Sequence, residues 1–290
     1  MKETRVVMLG TGTPNPVPER MGPCVAVVVE DNSYLVDFGV GLVRQAEIAN
    51  QMGVTGLRAD NLKRGFLTHM HSDHTIGLAD LIYTPWVLER KEPLKVFGPK
   101  GFPEMVDNLL EAYKLDIDAR MNGWEKANTE GIKVEAKQVK EGLIYEDELV
   151  KVEAFKVIHP PFDAYGYKFT TPDKTIVISG DTVPSDNLIE YAKDCDILVH
   201  EVYSAQGVKQ RNEKWNYYHT HVHTSSIELG ELAKKAKPKK LVLYHQLFFR
   251  VPNEDGTLIT EMDREREMIK EIQQNYDGEI VSARDLDIIF

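Results

Sequence analysis

The chain has 290 residues, of which 42% are hydrophobic and 28% are charged, and its formal net charge is −11. This composition is typical of a globular protein that can bury a large core, and the acidity argues against a general nucleic-acid binder. No apolar run approaches the roughly 18 residues of a membrane span, and no signal-peptide pattern opens the chain. We therefore expect a cytoplasmic protein without a membrane segment, in which Cys24 and Cys195 are reduced core residues.

Hydrophobic runs and turn residues in the first half of the chain predict alternating strands and helices. Strands are predicted over residues 5–9, 24–30, 33–36, 65–68, 94–99 and 132–139, and helices over residues 40–50, 75–88 and 103–115. Residues 10–14 are rich in glycine but lack a G-x-G-x-x-G pattern or a Walker lysine. We interpret them as a tight loop rather than a phosphate cradle.

Residues 68–74 read Thr-His-Met-His-Ser-Asp-His, so three imidazoles and one carboxylate fall within six residues. The run lies between a predicted strand and the helix 75–88, which Asp73 is placed to cap. Imidazoles suit zinc and iron, and an added carboxylate suits a divalent ion that keeps a water ligand. The alternative is a solvated polar turn. Six residues cannot complete two coordination spheres, so a metal site requires further ligands downstream.

The second half places more such side chains at predicted strand ends. Strands are predicted over residues 149–158, 165–169, 175–182, 196–199, 240–244, 279–281 and 286–290, and helices over residues 185–192, 224–235 and 261–276. His159, Asp181 and His245 each end an apolar strand, as His69 does. Strand ends in an α/β layer converge on one edge, where sites are built, so these residues are candidate ligands. Asp181 could instead cap the helix 185–192.

The H-x-H-x-D-H run after a strand resembles the signature of the metallo-β-lactamase fold hydrolases, and the resemblance covers nearly the whole chain. It is closest to the ribonuclease Z-like branch, and within that branch to an arylsulfatase-like group. The stretches that carry it are residues 10–14, 67–77, 177–182, 198–202 and 223–231. The resemblance implies one domain over residues 1–290, with an α/β fold built as a four-layer αββα sandwich of two similar halves.

The resemblance also implies two divalent metal ions, zinc in the first place and manganese or iron as alternatives. One ion is assigned His69, His71, His159 and Asp181, and the other Asp73, His74, Asp181 and His245. The implied catalytic residues are Asp73, with Glu201 and His223 as a proton-handling pair. Asp37 is implied to brace the histidine loop, although it could also cap the helix 40–50.

The implied reaction is hydrolysis of small phosphodiester or sulfate esters by a hydroxide that bridges the two metals. Processing of tRNA 3′ ends, as in ribonuclease Z, is the alternative. Residues 160–180 leave no room for the Gly/Pro-rich arm with which the tRNA-processing members clamp tRNA. Residues 38–43 also replace the Cys-Gly-Glu-Gly-Thr-Gln run of those enzymes. We therefore expect a small-molecule ester as partner, and nucleic acid only if the basic run 234–240 is more than a solvated helix end.

Two apolar features have both a functional and a structural interpretation. Four aromatic residues near the motifs could line an aryl-ester pocket or fill the core: Tyr83, Trp86, Phe162 and Phe248. Residues 82–88 form an apolar run that could mediate a homodimer or pack as a core helix. Enzymes that this chain resembles are often homodimers.

Overall fold

The computed structural model describes residues 3–250, 256 and 259–290. The chain divides into two compact units, one formed by Met1–Lys140 with Arg284–Phe290 and the other by Glu141–Ala283. Both units contain a seven-stranded sheet and several helices, so the predicted α/β class is confirmed. That the two units form one domain over residues 1–290 stays a prediction.

The first unit begins with a β-meander and continues with strands joined by helices. Its strands are β1 (Thr4–Gly10), β2 (Cys24–Val29), β3 (Asn32–Val36), β4 (Arg64–Phe66), β5 (Leu94–Gly98), β6 (Val134–Gln138) and, from the end of the chain, β14 (Ile288–Ile289). Its α-helices are α1 (Leu42–Gln51), α2 (Ser72–Thr75), α3 (Leu78–Val87), α4 (Phe102–Ala112) and α5 (Lys114–Asn122). The sheet order is β14-β1-β2-β3-β4-β5-β6, antiparallel up to β3 and parallel from β3 to β6.

The second unit repeats this plan. Its strands are β7 (Gly142–Glu146), β8 (Lys151–Val157), β9 (Ala164–Thr170), β10 (Thr175–Ile178), β11 (Ile197–Tyr203), β12 (Lys240–Leu247) and β13 (Glu279–Ser282). Its helices are α6 (Asp186–Tyr191), α7 (Ala205–Lys209), α8 (Glu213–Val222), α9 (Ser226–Ala236) and α10 (Glu261–Gln273). The strands pair in chain order, antiparallel from β7 to β10 and parallel from β10 to β13. The predicted similarity of the two halves is therefore confirmed at the level of topology.

The predicted helix 75–88 corresponds to α3, and a separate short helix, α2, precedes it, so Asp73 does not cap the predicted helix. Asp73 lies in the first turn of α2, whose N-cap residue is His71 without a side-chain cap. The prediction failed because the histidine motif continues into a short helix of its own. Helix α3 contains the apolar run, and Ile82, Tyr83 and Trp86 are buried in the core of the first unit. Most of the run therefore packs internally, in line with the core-helix alternative, whereas Leu88 at its end is 53% exposed.

The buried side chain of Arg90 supplies hydrogen-bond donors to carbonyls of helix α3. Pro85 lies inside the helix and has no N–H to give to the carbonyl of Leu81. The Nη1 of Arg90 donates to that carbonyl at 2.9 Å and to the carbonyl of Leu62 at 3.1 Å. Its Nη2 donates to Ile82 and Gly131 at 2.9 and 2.8 Å. Burial lowers the pKa of Arg90 to about 10, so the guanidinium stays charged at neutral pH and binds these carbonyls as a cation.

Both cysteines are free and buried, as predicted. No helix in the described parts of the chain combines the length and apolar character that crossing a bilayer would require. The predicted loop over residues 10–14 is confirmed as a tight loop and is held by Asp285. The carboxylate of Asp285 accepts from the N and Oγ1 of Thr11 at 2.9 and 2.7 Å, from the N of Met21 at 2.6 Å and from Gln45 at 3.0 Å. A carboxylate thus occupies donors that a phosphate would need.

Candidate metal centre

The histidine motif of the first unit is built around Asp37, which follows strand β3. Asp37 accepts from the backbone N of Thr68 at 2.8 Å, from Thr68 Oγ1 at 3.0 Å and from His74 Nδ1 at 2.8 Å. Asp37 has a φ of 66°, a region that aspartate tolerates better than most residues. The helix α1 has Gly41 as N-cap and no side-chain cap. The prediction that Asp37 braces the histidine loop is confirmed, and the helix-cap alternative is wrong.

These contacts determine which nitrogen of each imidazole is the donor and which is the acceptor. Thr68 Oγ1 donates to Asp37, so it accepts from His69 Nδ1 at 3.0 Å. His74 Nδ1 donates to the Asp37 carboxylate. Both rings are therefore held in the tautomer that leaves Nε2 as the acceptor, which is the form that a metal ion requires. His69 Nε2 and His71 Nδ1 converge to 2.8 Å, and His74 Nε2 lies 3.5 Å from the Asp73 carboxylate.

Backbone contacts hold α2 against the loop that follows Asp37. The N of Phe38 donates to the carbonyl of His74, and the N of Gly77 donates to the carbonyl of Phe38, both at 2.8 Å. A Cβ at position 77 would lie 2.2 Å from the carbonyl oxygen of Gly39. Only glycine permits this approach, so the sequence at position 77 is part of what positions the histidines.

In the second unit, three further predicted ligands are buried: His159, Asp181 and His245. His159 Nδ1 donates to the carbonyl of Val222 at 2.7 Å, which leaves its Nε2 as acceptor. His159 and Asp181 are tied together by their neighbours, because the N of Ile158 donates to Thr182 Oγ1 at 3.1 Å and the N of Val183 to the carbonyl of Ile158 at 3.0 Å.

His245 differs from the prediction in its backbone environment. It does not end a strand, because β12 continues to Leu247. Glu201 pairs with Tyr244 and Val202 with Gln246, so His245 is the extra residue of a β-bulge, with a φ of 44°. Bulges re-aim side chains. The His245 Nδ1 lies 3.6 Å from the Asp181 carboxylate, and Asp181, His223 and His245 each offer a ligand atom within 4.8 Å of the other two.

Glu201 and His223 form a buried pair, as predicted. Oε1 of Glu201 lies 3.1 Å from His223 Nδ1 and also accepts from the backbone N of Thr182 at 3.2 Å and of Thr224 at 3.1 Å. Burial raises the pKa of Glu201, and the nearby His223 opposes that rise. His223 Nδ1 also lies 3.8 Å from Asp181. The pair can therefore hold a proton next to the candidate ligands.

The other histidines of this unit have distinct environments. His200 lies within strand β11 and is completely buried, and burial lowers its pKa to about 4. His219 and His221 lie on helix α8, whereas His223 follows it, so the alternation of these residues in the sequence does not reflect an extended strand. Burial also lowers the pKa of His219 to about 4, while its Nδ1 lies 2.6 Å from the carbonyl of Trp215. His200 and His219 are therefore neutral at pH 7.

Three of the four aromatic residues predicted to be near the site belong to cores. Trp86 and Tyr83 lie in the core of the first unit and donate to the carbonyls of Asn128 and Leu109. Phe248 lies in the core of the second unit, and Phe162 is half-buried. The core-packing interpretation is therefore the correct one for Tyr83, Trp86 and Phe248.

Residues 17–245 match the metallo-beta-lactamase superfamily. Together with the two α/β units and their His/Asp clusters, this match shows that the chain belongs to the metallo-β-lactamase superfamily, and it supports a metal-dependent hydrolase. Among curated proteins, the ribonuclease Z of Mycobacterium sp. strain KMS is 33% identical over 245 residues, which cover 83% of this chain and 84% of the relative. The predicted resemblance to this superfamily and to ribonuclease Z is thereby confirmed.

Two solved structures share the fold. The metallo-beta-lactamase fold protein YhfI from Bacillus subtilis matches with a TM-score of 0.73 and 20% identity, over 99% of this chain and 100% of its own. The short form of human tRNase Z matches with a TM-score of 0.70 and 22% identity, over 99% and 98% of the two chains. At this level of identity the similarity concerns the fold alone.

Proposed function

We propose that the protein is a dinuclear metallohydrolase of small phosphodiester or sulfate esters, with zinc as its metal. His69, His71, His159 and Asp181 would bind one ion, and Asp73, His74, Asp181 and His245 the other. The observation that supports this assignment best is the state of the imidazoles. His69, His74 and His159 each have Nδ1 engaged by a protein acceptor, so that Nε2 is ready to bind a metal ion.

The donor set fits zinc, because neutral imidazole and carboxylate are its usual ligands at sites that retain a water position. Bound metals of this kind lower the pKa of water and neutralise negative charge on the reacting group. The chain's own side chains orient the imidazole rings and transfer protons. Asp37 fixes the ring of His74, Glu201 fixes the ring of His223, and His223 is placed to give a proton to the leaving oxygen. Asp73 serves as a ligand and, through its negative charge, as a catalytic residue.

The preference for a small ester rests on the stretch between His159 and Asp181. Strands β9 and β10 and two short turns account for nearly all of this stretch, so it contains no arm that could hold a tRNA body. The basic run at the end of α9 is a weak replacement, because two of its lysines, Lys239 and Lys240, pair with Asp196 and Glu279 at 2.7 and 3.0 Å. With a net charge of −11, phosphate contacts along a large RNA would be few.

The second candidate is tRNA 3′-end processing, and it is supported by the ribonuclease Z relatives. One such relative is 33% identical over 83% of this chain. The same ligands and the same Glu201–His223 pair would serve both reactions, because both substrates are anionic esters. The difference between the two candidates therefore lies in what binds the rest of the substrate.

Substrate comparison on metal-loaded protein distinguishes the two candidates. We expect a higher kcat/KM for bis(4-nitrophenyl) phosphate or 4-nitrophenyl sulfate than for a pre-tRNA with a 3′ trailer. A lactone serves as a control for unrelated hydrolytic activity of the same fold. Site-specific removal of the trailer at physiological salt, with weak activity on both small esters, would replace the small-ester proposal by the nuclease.

We also propose that the enzyme acts in the cytoplasm, where free buried thiols such as Cys24 and Cys195 remain reduced. Homodimerisation stays a proposal without a defined surface, because most of the run 82–88 packs in the core and Leu88 alone in that run is well exposed. Light scattering at micromolar concentration tests it, and a monomeric mass would exclude it.

A further inference from the structure

A cluster of side chains around helix α8 lies beside His223 and is not used by the proposed metal ligands. It comprises Arg211, Trp215, Tyr218, His219 and Phe249, and we call it the aromatic platform. The ring of His219 stacks on that of His223, with centroids 5.9 Å apart and planes at 25°. The ring of Tyr218 meets His223 edge-on at 6.2 Å. The platform therefore begins at the proton-handling pair.

The rings form a continuous series of contacts. Phe249 meets His219 edge-on at 4.6 Å, and Trp215 lies 5.8 Å from both His219 and Tyr218. Phe249 is held in place by its backbone, which has a φ of 46° and lies against Gly207. A Cβ at Gly207 would be 2.8 Å from Phe249 Cβ. The close packing of Phe249 on Gly207 thus fixes where the Phe249 ring lies in the platform.

Core packing explains only part of the platform: Phe249 packs against the small cluster of Tyr203, Val208 and Leu247, whereas the rings of helix α8 are mostly outside a core. Helix α8 buries only His219 and Val222, while Trp215 is 40% exposed and Tyr218 and Phe249 are half-buried. Rings left partly open to water next to a reactive site are characteristic of ligand-binding surfaces. His219 contributes a neutral ring, so the surface beside His223 is aromatic rather than charged.

Arg211 adds a cation to this surface. Its guanidinium carbon lies 5.9 Å from the centroid of Trp215 and 5.4 Å from that of Phe249. Its Nε is shielded from water and has no hydrogen-bond partner among the described residues. A shielded donor of this kind is costly unless an acceptor arrives with a ligand. Aromatic rings beside a guanidinium suit a ligand that has both an aromatic ring and anionic oxygens.

We propose that the aromatic platform binds the aromatic group of an anionic ester, so that the site selects aryl esters over alkyl esters. This inference rests on the proposed function, since it assigns the substrate class of the same site. The ring of the substrate would stack on Trp215 and Phe249, and Arg211 would face the oxygens of the ester. An alkyl ester with the same anionic group would lack the stacking contacts but keep the contacts of the anionic group.

Binding of two unreactive analogues tests the proposal on metal-loaded protein. Phenylphosphonate and methylphosphonate share the anionic group and differ in the ring, and calorimetry gives a Kd for each. Trp215→Ala and Phe249→Leu are each expected to weaken phenylphosphonate binding about tenfold while leaving methylphosphonate unchanged. Trp215→Phe, which keeps a ring, should restore most of the affinity. Trp124→Ala is the matched control, because Trp124 is fully exposed in the other unit.

The kinetic readout should follow the binding readout. In the platform variants, kcat/KM should fall for aryl esters through KM, with kcat little changed, because the metal ligands and His223 are intact. Equal weakening of both phosphonates, or no weakening of either, would overturn the proposal. The proposal would also be overturned if the platform variants lost affinity for a single-stranded oligonucleotide while their binding of phenylphosphonate stayed unchanged. That result would assign the rings to nucleic-acid binding.

The failure of this inference can be told apart from the failure of the proposed function. If the wild type hydrolyses aryl esters and the platform variants retain its selectivity, only the platform is refuted. If the metal-loaded wild type hydrolyses neither ester and binds neither phosphonate, the small-ester function fails, and the platform assignment fails with it.

Discussion

Nδ1 of His74 donates a 2.8 Å hydrogen bond to Oδ2 of Asp37, and both side chains are essentially inaccessible to water. The same carboxylate also accepts two hydrogen bonds from Thr68, the residue before the first histidine of the motif. One buried side chain therefore sets the positions of both ends of the motif. This arrangement makes Asp37 the most direct test of whether the motif is a metal site.

Asp37→Asn should lower metal affinity without removing a ligand. The amide keeps one acceptor oxygen, so its NH2 group must face either the backbone N–H of Thr68 or the pair of donors from His74 Nδ1 and Thr68 Oγ1. Either placement sets donor against donor and weakens the fixed orientation of the motif. Loss of a partner that orients a metal-binding histidine weakens metal affinity by about 10–100-fold. Metal content after dialysis against a competing chelator measures this change.

Asp107→Asn is the control for that experiment, because Asp107 is an exposed aspartate of the same unit. It should retain metal at the wild-type level. Wild-type metal affinity in Asp37→Asn would show that the motif does not depend on this carboxylate and would argue against a metal role for His74.

His223→Ala should retain both metals and lower turnover by about 10²–10⁴-fold, because it removes a general acid. Metal analysis and kcat on a phosphodiester measure the two effects. His221→Ala is the matched control, since His221 is exposed and stacks on Tyr217 at 4.0 Å. Loss of a metal from His223→Ala would instead make His223 a ligand, a role that its proximity to Asp181 and His245 also allows.

Stability should fall in mild acid because of His200. Its folded-state pKa of about 4 lies below its unfolded value of 6.5, so the unfolded chain binds more protons between these values. The contribution of His200 to the unfolding free energy is therefore fully present above pH 6.5 and is lost as the pH falls towards 4. His200 alone should account for a loss of about 2 kcal/mol between pH 7 and pH 5.

Urea unfolding of wild type and His200→Asn, in chelator at both pH values, isolates this contribution. The variant should lose about 2 kcal/mol less than the wild type over the same interval. His221→Asn, at an exposed position, should behave as the wild type. Identical pH dependence in wild type and His200→Asn would mean that His200 is not a buried neutral histidine.

Arg90→Met should destabilise the first unit by at least about 3 kcal/mol, because it leaves buried carbonyls without their donors. The carbonyl of Leu81 is affected most, because Pro85 has no N–H that could take the place of the lost Arg90 donor. Arg58→Met, at an exposed ion pair with Asp60, should change stability by less than about 0.5 kcal/mol. Urea unfolding at pH 7 measures both, and equal stability of the two variants would contradict the role assigned to Arg90.

The parts of the fold that follow local rules were predictable from the sequence. The hairpin of β2 and β3, helices α1 and α9, and the parallel strands of the second unit have periodic apolar patterns or turn residues that identify them. The histidine motif and Asp181 were recognisable because they follow strands. The alternative that Asp181 caps helix α6 is wrong, because Ser185 is the N-cap residue. Which of two nearby residues caps a helix depends on the turn geometry, which the sequence does not reveal.

The parts that were missed depend on distant contacts or on an absent pattern. Helix α5 has no buried residue, so no apolar face marks it in the sequence. Asp285 holds the loop at Thr11 across 274 residues of chain, which no local signal reveals. The bulge at His245 arises from the pairing of β12 with β11. The aromatic residues of α8 were not recognised, because histidines alternating at 219, 221 and 223 suggested no helix.

The connection from His159 to Asp181 also bears on how this scaffold acquires new substrates. Its two turns, at residues 158–163 and 171–174, are closed by antiparallel pairing of β8 with β9 and of β9 with β10. When the ends of a turn are already paired, each doubling of its length adds only about 0.6 kcal/mol to the free-energy cost of closing it. An arm could therefore be inserted or deleted here while the candidate ligands stay in place. Substrate size in such a chain can change by one insertion event, without any change to the residues that perform the chemistry.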